Sequence, residues 1–541
     1  MNTKRMALAF SVVLLLTGSC TKSERKAQES KSSEIPSAPV DARIHWLGKK
    51  NIAAATNSMG AMRIWREPES IRLEAHLLDK LSLAPWHLWR PAADTNAAAL
   101  LRPLFNDVLE NECHLEVRAA TNQPGELAFA IRLSNDHAGL WETNLPAALE
   151  ALTGIHPALV PHGGSLKKHD APNFVQWTRI EEWTVVGIGS ETNTLFEDFG
   201  ARIRRVHTPG MATVGAKPWI EADVDLRRVA AALSLPWNIP EDFPRIFLSA
   251  IGDGENVRTH GDFTFARPLA LTLEPWDVPT NIVHGPLASF TAIRGLRTWL
   301  GSARRWNDLG FGEAPNRVFV WAGNALPMQT LFLAASANPS DQTSQISDSL
   351  LQNVSPWLKT NGSGYLKRSE EFNGVVWTGI MPFITPFVRA ETNYIMGGSF
   401  QPSGRAALPN DLLQTLNQTN LLYYDWEITG PRIEAWFRLG QFLRVMLHKS
   451  QLPPSAGTSW LQANLTRLGN CVTVVNQTAP ERLTLVRRSS TGFTAIELHL
   501  LADWLESPEF PRGLNTFLGS ATIPSAPGNT NSPANPAVPL K

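Results

Sequence analysis

The eight residues Asn173 to Ile180 read NFVQWTRI, and Asn373 to Ile380 read NGVVWTGI, with five letters shared at an offset of 373 − 173 = 200. His114 to Ala119 faces Arg317 to Ala322 at 203, Phe290 to Ile293 recurs letter for letter at Phe493 to Ile496, and Asp223 to Leu226 faces Asp425 to Ile428 at 202. A near-constant offset at separated places limits a chain more than any composition does, because each copy must then fold by the same rules. The expectation is an α+β fold made of two tandem copies of a unit of about 200 residues. Copy A would span 100–305 and copy B 306–507, with 43–99 as an unduplicated N-terminal segment.

Local patterns fill in the unit. Leu115–Ala120 and Leu127–Leu133 flank Thr121-Asn-Gln-Pro-Gly125, which has hairpin-turn chemistry. Cys471–Val475 and Leu483–Val486 repeat the plan around Asn476–Pro480, with helices expected at Trp460–Leu468 and Glu497–Leu505. Further strands are expected at Phe174–Ile180, Val185–Ile188, Ile220–Val224, Val375–Ile380 and Tyr394–Met396. Asp225 is placed to cap a helix at Leu226–Leu233, and Pro431 to open one in copy B. Ile71, Leu73, Leu77, Leu78 and Leu81 have helical spacing, with Ser70 as the expected N-cap. Hairpins alternating with helices, with few βαβ crossovers, predict antiparallel sheets covered by helices.

The first residues predict export. Lys4 and Arg5 precede an uncharged run from Met6 to Leu16, the size of a signal-peptide core and too short to span a bilayer as a helix. That run ends in Thr17-Gly18-Ser19-Cys20, which resembles the lipobox of bacterial lipoproteins. The resemblance covers the first 20 residues only. It implies that residues 1–19 are removed, that Cys20 carries the lipid, and that the protein sits in the bacterial cell envelope. Thr21 in place of Asp after that Cys implies the outer membrane, facing the periplasm. Residues 20–42 are polar and aperiodic and read as a flexible tether, and 508–541 as a disordered tail rich in Pro, Asn and Ser.

Lys plus Arg equals Asp plus Glu, at 49 each. That balance leaves no electrostatic footprint for nucleic acid. In an oxidising compartment Cys113 and Cys471 can form a disulfide or stay as two buried thiols. Trp177 and Trp377, and Trp299 and Trp504, suit core positions. Trp46, Trp65, Trp86 and Trp89 can pack against copy A or form an apolar contact surface. The pairs Asp223/Asp225 and Asp425/Glu427 stand two apart on strand-like sequence, which projects both carboxylates of a pair to one face. They suit a solvent face or, less simply, acid–base or cation chemistry. His156, His162, His169 and Asp170 are zinc-like ligand types in a Gly-rich loop, but their spacing fits no local metal pattern. No nucleophile elbow, zinc-protease helix, Walker loop or EF-hand loop occurs, and no cofactor is expected. These features predict a non-catalytic cell-envelope lipoprotein, attached to the membrane through Cys20 and binding an envelope protein, glycan or lipid. The alternative is a secreted hydrolase with its site in the His156–Asp170 loop.

Overall fold

The computed structural model describes residues 40–89, 97–119, 125–167, 174–190, 194–206, 217–233, 239–302, 312–323, 329–379, 385–402, 405–446, 455–507 and 510. In chain order the strands are β1 (Ala42–Trp46), β2 (Cys113–Arg118), β3 (Glu126–Arg132), β4 (Ala158–Val160), β5 (Gly163–Lys167), β6 (Phe174–Ile180), β7 (Trp183–Gly189), β8 (Ile220–Val224), β9 (Arg245–Asp253) and β10 (Asn256–Thr264). They continue as β11 (Leu287–Arg294), β12 (Arg317–Gly323), β13 (Thr330–Ala335), β14 (Tyr365–Arg368), β15 (Gly374–Thr378), β16 (Phe387–Ala390), β17 (Tyr394–Gly398), β18 (Leu421–Ile428), β19 (Asn470–Ala479) and β20 (Arg482–Ser489).

All twenty join one antiparallel sheet. The first ten pair in the order β4-β5-β6-β7-β3-β2-β1-β8-β9-β10. β10 then pairs with β20, and the sheet continues β19-β18-β11-β12-β13-β17-β16-β15-β14.

Alternation along the strands decides what each face buries. On β1, Ala42, Ile44 and Trp46 point one way and Arg43 and His45 the other. Ala42, Ile44, Leu115, Val117, Leu127, Phe129 and Ile131 build the main core of the first half. Cross-strand partners share a face. Following the register Ala250–Thr259–Arg487–Thr473–Asp425–Thr291 shows that Asp425 lies on the same face as that core. The main core of the second half is built on the opposite face, from Phe290, Ala292, Phe319, Trp321, Leu331, Leu333 and Tyr424. The two halves of one sheet therefore bury their principal cores on opposite sides.

Helices follow that division. Pro68–Trp89, Ala98–Glu110 and Asn135–Thr153 cover the first half's core, and Ala456–Asn464 packs against Pro68–Trp89 from the far end of the chain. The helix Ala495–Leu505 starts at a capping box, in which Thr494 accepts from Glu497 N–H and Glu497 accepts from Thr494 N–H. Helix Leu195–Val206 covers a smaller core on the other face, around Ala128, Ala130, Trp183 and Val185.

This architecture corrects the expected pair of tandem copies. There is one sheet, and its divisions fall elsewhere. β1, from the supposedly unduplicated 43–99, lies between β2 and β8 in the interior of the first half, and β11, from the supposed copy A, belongs to the second. Matched letters occupy unlike places. Phe290 is a fully buried strand residue, whereas Phe493 precedes a helix cap. Trp177 is buried in the main core, while Trp377 is half-buried and donates its indole N–H to Ser363 O at 2.8 Å. Asp223 and Asp425 face opposite sides of the sheet. What the halves share is an order of strand connection.

Other expectations also shift. Ser70 lies inside the helix Pro68–Trp89, with its hydroxyl donating to Ile64 O at 2.6 Å, so it is not the cap. Pro68 opens that helix, where a missing N–H costs nothing. Trp299 is exposed, not core. Trp86 is fully buried and the rings of Trp46 and Trp65 meet at a tilt with centroids 6.3 Å apart, so these three form no outward tryptophan surface, and the side chain of Trp89 lies outside the described residues. Cys113 and Cys471 are both buried and free, on strands six spacings apart in the sheet, so the disulfide is not made.

Candidate functional site

A large cavity of about 500 Å³ opens where the first half's core meets the helices. Its floor is the sheet, through the alternate side chains Ile44, Trp46, Leu115, Phe129, Ile220, Ala250 and Val257. One wall is helix Pro68–Trp89, whose Leu73, Leu77, Leu78 and Leu81 recur at three- and four-residue steps and so share a stripe. A second is Ala98–Glu110, presenting Leu101, Leu104, Phe105 and Val108 on the same principle. Phe493, Leu498, Leu501 and Leu505, with Trp460, close it from the C-terminal end. Residues from both ends of the described chain thus meet around one space.

Polar groups are few and are mostly spoken for. Glu74 accepts from Lys49 Nζ at 2.7 Å and from Trp65 Nε1 at 2.5 Å. The Lys49 ammonium also stands 5.3 Å over the Trp65 ring. Ser70 Oγ accepts from Trp460 Nε1 at 2.7 Å, which ties helix Pro68–Trp89 to Ala456–Asn464 across the cavity rim. Trp46 Nε1 donates to Leu109 O at 3.0 Å. One lining residue differs: the indole N–H of Trp219 is buried with no acceptor. A buried donor left unpaired costs about 1–3 kcal/mol, so a ligand oxygen within its reach would relieve a real penalty.

The size of the space decides its meaning. Interiors pack to crystal density, with few voids larger than a water molecule. At about 24 cal/mol per Å³, a closed apolar void of this volume would forgo on the order of 10 kcal/mol of packing; this one is partly open to the surface and forgoes less. Whole domains are stable by only about 5–15 kcal/mol. Far smaller apolar cavities stay dry and take up apolar molecules, and this one falls in the range of roughly 300–1,000 Å³ typical of small-molecule pockets.

The residues singled out in the sequence are not brought together. His156 pairs with Glu150 at 3.0 Å and His162 with Glu142 at 3.2 Å, both exposed, along helix Asn135–Thr153. His169, Asp170 and Cys20 lie outside the described residues. Asp223 is half-exposed and accepts from Arg245 at 2.7 and 3.0 Å, and Asp225 caps its helix by accepting from Arg228 N–H at 3.0 Å. Asp425 and Glu427, in contrast, are buried. Asp425 accepts from Thr291 Oγ1 at 2.6 Å, and Glu427 from the backbone N–H of Ala495 at 2.6 Å. Arg487 completes the network with two bonds to Glu497, at 2.6 and 2.8 Å, and one to Thr473. Burial pushes the Glu427 carboxyl up to about 7, against the hydrogen bond from Ala495 and with help from the neighbouring Asp425. Every donor and acceptor named here is engaged within the protein, so the network reads as an anchor for helix Ala495–Leu505.

The cavity itself was not foreseen. The leucine stripe of Pro68–Trp89 was visible as periodicity, but nothing in it says whether the opposing wall touches it or stands away. Among the described residues no helix is long and apolar enough to cross a membrane. No protein-family model, no curated protein and no solved structure matches this chain.

Proposed function

We propose that this protein is a non-catalytic cell-envelope lipoprotein, tethered through Cys20, that holds one lipid-like molecule in the cavity between the sheet and the helices. The observation that carries the reading is the apolar space of about 500 Å³, whose walls are mostly aliphatic and aromatic side chains. Its occupant is expected to be mostly hydrocarbon with a hydrogen-bond acceptor. The hydrocarbon recovers packing at about 0.8 kcal/mol per buried methylene, and the acceptor satisfies Trp219. A carboxylate head is disfavoured near Lys49, because Glu74 at 2.7 Å and Glu110 at 3.5 Å already over-neutralise that ammonium. A neutral head such as an ester or alcohol fits better. Export and lipidation rest on the signal-like first 20 residues. A polar tether would let the body reach lipid at the membrane surface without inserting.

The test is displacement of an environment-sensitive naphthylamine probe from the full chain. Five lining tryptophans, Trp46, Trp65, Trp141, Trp219 and Trp460, supply an intrinsic energy-transfer signal. Saturable binding, displaced by long-chain esters and alcohols but not by short ones, is the expected result. Leu77→Trp, which intrudes on the space, should weaken it while the fold's circular dichroism stays intact. Equal probe binding by wild type and Leu77→Trp would overturn the reading. Metabolic labelling with palmitate, lost in Cys20→Ala, tests the anchor separately.

A further inference from the structure

A different cluster points to the other face of the sheet from the cavity's floor side chains, although His114 also borders that cavity. β1 and β2 run antiparallel with His45 directly opposite His114, so both imidazoles stand on the side away from Ile44 and Leu115. The two rings are stacked, with centroids 4.5 Å apart and planes 15° from parallel. Glu112, at the entry to β2, brings Oε1 to 3.0 Å from His45 Nε2. One ligand atom from each of the three residues lies within 4.8 Å of the others. We propose that His45, Glu112 and His114 form a binding site for one divalent transition-metal ion, with zinc as the best match to the donors.

The donor set argues for the metal class. Two imidazoles, which are borderline ligands, together with one carboxylate make a donor set suited to zinc, whereas calcium and magnesium want six or more oxygens. Zinc bonds of about 2.0–2.1 Å in tetrahedral array separate ligand atoms by about 3.4 Å. The cluster is therefore open by little more than an ångström, and rotating the rings out of their stack toward a common point closes that gap. The strand register fixes both histidine backbones, so the site is pre-organised at the main chain. Side-chain exposures of 18% for His45 and 11% for Glu112 leave a path for an ion without leaving the ligands in bulk water. Trp183 walls one side, its ring 5.3 Å from that of His114. Arg132 Nη1 stands 3.8 Å from the second carboxylate oxygen of Glu112 and would orient it. Three protein ligands leave a fourth position for water or an incoming ligand, as at zinc sites of the open type. The competing account is a histidine–glutamate ion pair stiffened by stacking, which would hold no ion.

Cobalt(II) titration of the chelator-stripped full chain separates the two accounts. Tetrahedral cobalt gives intense visible d–d bands, expected here to saturate at one ion per chain and to vanish when zinc is added. His114→Ala and Glu112→Gln should each weaken zinc binding at least about tenfold, and His156→Ala, distant and exposed, should leave it unchanged. Wild-type protein that shows no such bands, and no tight equimolar zinc by metal analysis, overturns the proposal without any variant. So does undiminished binding by folded His114→Ala. Probe binding in the cavity is read separately, so either reading can fail alone.

Discussion

The two halves of the sheet fill their cores in opposite ways. In the second half, Phe319 is fully buried and meets Trp276, Phe290 and Tyr394 with ring centroids 6.0–6.4 Å away. The buried Arg294 pins the same region, donating to the carbonyls of Leu421, Glu274, Gln418 and Thr419. Aromatic rings in edge and tilted contact leave little slack. In the first half the apolar residues fall into separate clusters, around Leu115, Ile52, Ile64 and Leu78, that border the cavity without merging. The same sheet thus supports a filled core and a hollow one. The difference lies in where the rings stand: in the second half they meet one another across the layer, whereas in the first half Trp46, Phe129 and Trp460 border a space that the leucines of the facing helices do not fill.

Truncation should separate the halves most strongly. Phe319→Ala is expected to cost about 3–5 kcal/mol in urea unfolding, because it opens a cavity in a filled core. Leu77→Ala, beside existing space, should cost no more than about 1–2 kcal/mol, close to the transfer value alone. Equal losses would break the comparison.

The buried acid pair gives the second half a pH response. The folded-state value of Glu427 is raised from 4.5 to about 7, first by burial. Between those values the folded state holds the proton more tightly than the unfolded one. The contribution is therefore full below about pH 4.5 and is lost as pH rises through about 7, on the order of 3 kcal/mol. Unfolding of Glu427→Gln followed from pH 5 to 8 should show a flatter profile than wild type. A slope that persists unchanged would detach the titration from this residue.

Insertion should act with opposite sign in the two halves. Ala292→Leu, in the filled core, is expected to destabilise by about 1–3 kcal/mol through overpacking, whereas Leu77→Phe should be neutral or raise the melting temperature. The smallest effect belongs to the exposed pair of the first half. Asp225→Ala removes a helix cap and should cost about 1 kcal/mol, and Arg245→Ala less than that, since its pair with Asp223 is surface-screened.

Much of the local structure was legible. Phe174–Ile180 and Ile220–Val224 are strands with the expected bounds, and Asp225 caps its helix as its place before Leu226 foretold. These are decided by neighbours in sequence. The offset near 200 misled where it was read as two units side by side, because letters carry no information about which face of a shared sheet they will meet. The burial of Asp425 and Glu427 was missed for the same reason: their partners Thr291, Arg487 and Ala495 arrive from distant segments. The His45–Glu112–His114 cluster spans 67 residues between its first two members. Only the strand register brings them together, so no spacing rule could have found it.

The account stands or falls on whether the hollow half holds a lipid. Native mass spectrometry of the full chain, purified without denaturation from the cells that make it, reads this directly. A covalent anchor survives unfolding, whereas a cavity ligand is shed. The expected spectrum shows one lipid-mass adduct per chain, absent after denaturation and reduced in folded Leu77→Trp. Wild-type protein of the same mass before and after denaturation, and unchanged on incubation with long-chain esters, would contradict the claim.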